Sequence, residues 1–279
     1  VSPRVEITDP DDPRVGDFRD LKRADRRPDR PGGRGLVLAE GTVVVRRLLD
    51  STYPVRGLLG VDRRYDELAA DLAHLEAPFF VATAEVMAQI VGFHLNRGVL
   101  AAADRVAFPP VSGMISTATT LAVLEGVGDH ENIGAVFRNA AALGIDAVLL
   151  GPGCADPLYR RSVRVSMGTV LHVPFAVDDR PVGDLLGELR TAGFTVVATT
   201  PRPEAVPLAD AGLGGLRAAV LLGSEGPGLT DEALRAADRW VRIPMARGVD
   251  SLNIATAGAI VFAALAAGAD GPVVPESRA

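Results

Sequence analysis

The sequence predicts an α/β protein built in two successive parts, a compact α/β unit and a larger parallel-sheet domain. Three observations predict it. From Leu36 onward, short apolar runs alternate with amphipathic stretches of helical period, the pattern of strand–helix alternation. Runs such as Ala147–Leu150 and Ala219–Leu222 are apolar throughout, as strands are in a parallel sheet covered on both faces. Between the two series, Val106–Ser116 carries Pro109-Pro110 and Gly113 and reads as a linker. With 279 residues, 48% of them hydrophobic, each part has enough apolar material for its own core.

Residues 1–35 form a segment crowded with both signs of charge. Arg19, Lys22, Arg23, Arg26, Arg27 and Arg30 recur at helical spacing, so one short helix can show a basic face. Asp17, Asp20, Asp25 and Asp29 are interleaved with them, and a solvated, salt-bridged arm is the other reading. Residues 36–105 follow as the compact unit. Its strands fall at Leu36–Ala39, Val55–Val61, Phe79–Ala82 and Val99–Ala102, and its helices at Thr42–Leu49, Tyr65–Leu75 and Ala84–Val91. The linker occupies residues 106–118.

The second domain spans residues 119–268. Its strands fit Leu121–Leu124, Ala147–Leu150, Leu171–Pro174, Thr195–Thr199, Ala219–Leu222 and Trp240–Ile243. Its helices fit Ile133–Leu143, Val182–Ala192, Asp231–Ala237 and Ile254–Ala267. Residues 269–279 are a polar tail expected to fray.

Composition excludes several classes. Cys154 is the only cysteine, so an internal disulfide and a multi-cysteine metal site are out. His74, His94, His130 and His172 lack metal-ligand spacing, and no metal is expected. No apolar run is long enough to cross a bilayer and the first residues do not resemble a signal peptide, so a soluble, cytoplasmic protein is expected. The net charge of −6 argues weakly against a general nucleic-acid binder, because a basic face can coexist with an acidic whole.

Ligands of parallel sheets bind at the strands' carboxyl ends, and three stretches there carry unusual residues. Gly223-Ser224-Glu225-Gly226-Pro227-Gly228-Leu229 follows a strand and precedes a helix, with a glutamate in its middle. Its glycines match neither the dinucleotide fingerprint nor a phosphate-binding loop. Ile243-Pro244-Met245 runs on to Ser251-Leu252-Asn253, where Ser251 or Asn253 is a plausible helix cap. Asn132-Ile133-Gly134 is followed on one helix by Arg138. There, Asn132 reads as an N-cap and Arg138, taken alone, as a surface residue.

In this order and spacing the three stretches resemble the motifs of the SpoU (TrmH-like) branch of the SPOUT RNA methyltransferases. The likeness extends over Asp156-Pro157-Leu158-Tyr159-Arg160-Arg161 to Ser166-Met167-Gly168. Upstream, Ala39-Glu40-Gly41 and His94 to Gly98-Val99-Leu100-Ala101 resemble the substrate-binding domain that often precedes this catalytic domain.

The resemblance implies a SPOUT-type domain with a deep trefoil knot, preceded by a ribosomal-protein-like RNA-binding domain. It also implies a homodimer that uses S-adenosyl-L-methionine to methylate a ribose 2′-hydroxyl in rRNA or tRNA. Carried over by position, Gly223, Ile243 and Leu252 hold the adenosine, with Leu222, Met245 and Thr199 beside them. Glycine at 223 is expected to let backbone approach the ligand closely. Arg138 is the catalytic residue, expected to grip the target phosphate and stabilise a developing alkoxide, since a guanidinium is a poor base at neutral pH. Asn132, Glu225, Ser251 and Asn253 are expected to hold Arg138 and the ribose. Arg160, Arg161 and Arg164 are candidates for RNA phosphate contact. The alternatives are a non-catalytic RNA-binding protein that kept the fold and a SPOUT base methyltransferase. A nicotinamide-dependent oxidoreductase lacks its fingerprint here.

Overall fold

The computed structural model describes residues 1–21 and 35–267. The chain divides into two compact units. One comprises Val1–Ala107 with Asp156–His172, the other Phe108–Ala155 with Val173–Ala279.

The first unit opens on β1 (Arg4–Glu6), in the segment read from its charges as a basic helical face or a solvated arm. Its backbone pairs in parallel with β4 (Phe79–Val81), and Ile7, Val15, Phe18 and Leu21 are buried in the same cluster as Met87, Ile90 and Val91. The period-two and helical patterns are too short here to reveal this, but the apolar side chains are enough to anchor it. Arg19 is paired with Asp11 at 2.7 Å. The remaining basic residues of the expected face, Lys22 to Arg30, lie outside the described residues.

β2 (Leu36–Glu40), α1 (Thr42–Leu49), β3 (Val55–Gly60), α3 (Ala84–Val91) and β5 (Val99–Asp104) stand close to their expected places. α2 (Asp62–Glu67) begins earlier and ends sooner than expected. The strands order as β1-β4-β3-β5-β2, with β3 antiparallel to β5 and β5 antiparallel to β2.

In the second unit the expected linker contains α4 (Val111–Thr117). Its Met114 and Ile115 are buried in the unit's main core with Leu121, Leu185 and Leu221, and Arg217 donates to the Ile115 carbonyl at 2.7 Å. The two prolines precede the helix and do not interrupt it. β6 (Thr120–Glu125), α5 (His130–Ala142) and β7 (Ala147–Leu150) follow.

The chain then crosses to the first unit. Asp156–His172, including α6 (Arg160–Val165), was expected inside the second domain. It is held instead by ion pairs, Arg105 to Asp156 and Arg160 to Glu40 at 3.0 Å. Arg47 adds a hydrogen bond to the Met167 carbonyl at 2.6 Å.

Returning, the strand expected at Leu171–Pro174 is displaced. Thr169–Leu171 is a 3-10 turn and β8 is Phe175–Val177. Pro174 lacks an N–H to give the ladder, and its carbonyl accepts from Val148 at 2.9 Å just before the strand begins. Phe175 then packs edge-on against Phe137, ring centroids 5.5 Å apart.

α7 (Val182–Thr191), β9 (Thr195–Thr199), β10 (Val206–Pro207), β11 (Ala218–Gly223), α8 (Asp231–Ala236), β12 (Arg239–Arg242) and α9 (Ile254–Ala266) complete the unit. The sheet runs β10-β12-β9-β11-β6-β7-β8 and every pairing in it is parallel. The carboxyl ends of β9, β11 and β12 therefore lie side by side.

Candidate active site

At those carboxyl ends the second unit holds a cavity of about 610 Å³. Three segments wall it: Thr199–Arg202 after β9, Leu222–Leu229 at the end of β11, and Ile243 to Ile254 between β12 and α9. Every residue expected to touch the adenosine lines it, namely Thr199, Leu222, Gly223, Ile243, Met245 and Leu252. So do Glu225, Ser251 and Asn253. Its size suits a ligand of a few hundred daltons, and its lining mixes apolar side chains with a few polar groups, as small-molecule sites do.

The turn after β11 folds on itself. Gly228 N–H donates to the Ser224 carbonyl at 3.0 Å, and Ser224 Oγ donates to the Gly228 carbonyl at 3.2 Å. A Cβ on Gly223 would collide with the backbone of Gly228 and Leu229. The turn's own backbone is thus by itself enough to require glycine at 223.

The far end of the turn is pinned by a residue the sequence reading missed. Glu125, at the end of β6 and 7% exposed, accepts from Thr230 N–H at 2.9 Å and Thr230 Oγ1 at 2.8 Å. Thr230 in turn caps α8. A carboxylate closing an otherwise apolar strand was the available signal.

Asn253 joins three elements. Its Oδ1 caps α9, accepting from Ala255 N–H at 2.9 Å and Thr256 N–H at 3.3 Å. Its Nδ2 donates to Asn132 Oδ1 at 2.8 Å and to Glu225 Oε1 at 3.0 Å. One amide therefore caps α9, as expected, and also meets Asn132 and Glu225.

Asn132 is not a cap. Asp129 caps α5, accepting from Glu131 and Asn132 N–H groups, so the Asn132 side chain, in a residue 8% exposed, is left to meet Asn253. Two turns on, at about 3.6 residues per turn, Asn139 donates to the Ala255 carbonyl at 2.7 Å. One face of α5 is thereby sewn to the start of α9.

Arg138 lies off that face and is exposed. None of the residues expected to hold it does so: among the described residues it makes no hydrogen bond or ion pair to Asn132, Glu225, Ser251 or Asn253. The basic cluster on α6 belongs to the first unit. There Arg160 is mostly buried against Glu40, its guanidinium 4.9 Å from the centre of the Phe93 ring, and burial lowers its pKa. Arg161 is exposed and Arg164 half-buried.

Arg202, also missed, lines the cavity and donates to Asp231 at 2.8 Å, which holds that carboxyl below its ordinary range. Cys154 is half-buried, its thiol pushed up to about 11 by burial, which suits no nucleophile. Among the described residues no group of His, Cys, Asp and Glu could hold a metal, and no helix is long and apolar enough to cross a membrane.

With the cavity, the turn and the Asn132–Asn253–Glu225 junction in place, comparison with known proteins is decisive. Residues 119–263 match the SpoU rRNA methylase family. The chain belongs to this family. The chain is similar along most of its length to an uncharacterized tRNA/rRNA methyltransferase of Mycobacterium tuberculosis, 56% identical over 260 residues, covering 92% of this chain and 90% of that one. It is 30% identical over 151 residues to the 23S rRNA (guanosine(2553)-2′-O)-methyltransferase of Bacillus subtilis, covering 53% of this chain and 58% of the relative. Among solved structures, an AdoMet-bound rRNA methyltransferase from Sinorhizobium meliloti superposes with a TM-score of 0.78 at 26% identity, over 94% of this chain and 97% of that one. The SpoU match begins one residue before β6 and ends within α9, so it contains the whole cavity wall.

Proposed function

We propose that this SpoU family member transfers a methyl group from S-adenosyl-L-methionine to a ribose 2′-hydroxyl of rRNA or tRNA. The observation that carries the reading is the Asn253 junction: one amide ties the glycine turn, α5 and α9 together at the wall of a cavity lined by all the expected adenosine contacts. The residues present fit the cofactor. The apolar wall of Leu222, Val241 and Ile254 suits an adenine face, and the backbone-rich turn Gly223–Gly228 offers hydrogen-bonding groups without bulky side chains.

When bound, the cofactor supplies a methyl already activated by its sulfonium, so alignment and proton handling fall to the chain. Asn132, Glu225 and Asn253 form a fixed polar edge whose hydrogen bonds lock each side chain before substrate arrives. Ser251, exposed beside them, offers a further hydroxyl to the ribose. Arg138, with no described partner to compete for its guanidinium, serves as the cation for the target phosphate and for negative charge developing on the ribose oxygen. It does not serve as the base, so the proton leaves to phosphate or water.

Three further expectations belong to the same reading. The convergence of Thr199–Arg202, Gly223–Leu229 and Ile243–Ile254 on one cavity supports a trefoil knot in this region. The exposed residues Thr256, Ile260 and Ala263 on α9 support a homodimer packed along this helix. The first unit, with Arg161 and Arg164, is assigned to RNA capture.

The 2′-O-methyltransferase activity of the Bacillus subtilis relative favours ribose over base. Incubating the protein with labelled cofactor and unmodified RNA, then digesting to nucleosides for mass spectrometry, tests this. A 2′-O-methylnucleoside is expected; a methylated base would replace the reading with base methylation, and no incorporation into any RNA would favour a binding protein.

A further inference from the structure

The cavity's charges are few and placed. Among the described residues that line it, Arg202 is the sole cation and Glu225 the sole anion. Glu225 is engaged by Asn253. Arg202 is differently held, on a loop pinned at Thr200, Arg202 and Ala205. Thr200 N–H donates to the Val241 carbonyl at 3.0 Å, Arg202 N–H to Thr200 Oγ1 at 3.4 Å and Ala205 N–H to the Arg202 carbonyl at 3.1 Å. Arg242 Nε closes the loop on the Ala205 carbonyl at 3.0 Å.

The guanidinium itself lies over Trp240, 5.6 Å from the ring centre, and spends one nitrogen on Asp231. Asp231 is 67% exposed and Arg202 46%, so that pair is weak in water. The other guanidinium nitrogens have no described partner. This is a cation oriented on two sides, with donors left over, at the wall of a cavity for a ligand that carries one anionic group.

We propose that Arg202 recognises the α-carboxylate of the amino-acid end of the S-adenosyl ligand, and so sets which way round that ligand lies. The inference rests on the reading of the cavity as an S-adenosyl site. A planar guanidinium matches a carboxylate with two parallel hydrogen bonds, whereas the ligand's ammonium and sulfonium would be repelled. Trp240 beneath the guanidinium, and the pinned loop, remove most of the ordering cost that a free arginine would incur.

The experiment is calorimetry on the full chain with two neutralised probes of the site. S-Adenosylhomocysteine keeps the amino-acid end; 5′-deoxy-5′-methylthioadenosine keeps adenosine and sulfur but lacks that end. Arg202→Gln is expected to weaken S-adenosylhomocysteine tenfold or more and to leave methylthioadenosine within about twofold, since a charge-assisted pair contributes on this scale. Arg202→Lys is expected to fall between, keeping the charge without the fork. Equal losses for both probes would make Arg202 a wall-shaping residue and overturn the proposal, as would no loss for either. Binding of neither probe by the unaltered protein would overturn the S-adenosyl reading itself. Because methylthioadenosine reports an intact adenosine site in the same variant, misfolding is separated from lost recognition.

Discussion

Arg160 in the first unit and Arg138 in the second are both arginines in helices that the family likeness marks as functional, and their surroundings could hardly differ more. Arg160 is withdrawn from water, with a carboxylate on one side and an aromatic ring on the other. Arg138 stands exposed on α5, with no described partner. Burying a guanidinium against Glu40 costs desolvation that only its partner offsets, so a residue so placed is committed to the fold. An exposed guanidinium with all its donors available is uncommitted until a substrate arrives. Arg160 thus helps to clamp Asp156–His172 in the first unit, while Arg138 keeps its charge at the surface of the second. An arginine's role is read from its partners more reliably than from its motif.

A first effect is expected from opening the turn at the cavity wall. Gly223→Val places Cβ inside the backbone of Gly228 and Leu229, so the turn must open. Cofactor affinity is expected to fall by tenfold or more, together with a lower melting temperature, checked by calorimetry and thermal unfolding on the same samples. Tight binding by a normally stable variant would remove the turn from the site.

Next comes the clamp. Glu40→Gln leaves a buried cation without its counter-charge and is expected to cost about 3 kcal/mol of stability in denaturant titration. Replacing Glu40 and Arg160 together with apolar residues of similar volume should recover most of that loss. If the single variant is as stable as the parent, Arg160 is not committed to the fold and the contrast with Arg138 weakens.

Asn253→Asp sharpens the contrast within one residue. The aspartate keeps the oxygen that caps α9 but loses the Nδ2 donor, and it sets a second carboxylate beside Glu225. Melting temperature is expected to change little, since aspartate is a good N-cap, while methyl transfer falls about tenfold or more. Loss of stability with activity preserved would make the amide a cap alone. The smallest effect concerns Cys154, whose thiol is pushed up to about 11. Alkylation by iodoacetamide at neutral pH should be far slower than for a free thiol, as followed by intact mass.

Much of this architecture was legible in the sequence because long apolar runs and caps are local signals. β7 and β9 fall where their periodicity places them, and α1 and α3 end where their apolar faces do. What escaped depends on distant partners. β1 is a strand only because Phe79–Val81 offers it an edge, and α4 is ordered by a core that closes over Met114 and Ile115. Pro174 displaced a strand by removing one donor. In the site, the residues that line the cavity were named through the family resemblance of the glycine turn and the strand ends, yet Arg202 and Glu125 were not. Their meaning lies in Trp240, Asp231 and Thr230, which local patterning does not reveal.

The most direct measurement sets the two arginines side by side. Arg138→Ala and Arg160→Met are each assayed for thermal unfolding, for S-adenosylhomocysteine affinity and for single-turnover methyl transfer to RNA. Arg138→Ala is expected to keep its melting temperature and ligand affinity while transfer falls by about a hundredfold or more, the scale of removing a preorganised charge donor; Arg138→Lys should recover little. Arg160→Met is expected to unfold at lower temperature while the folded fraction still binds ligand. Near-normal transfer by Arg138→Ala, or an unchanged melting temperature for Arg160→Met, would contradict the account.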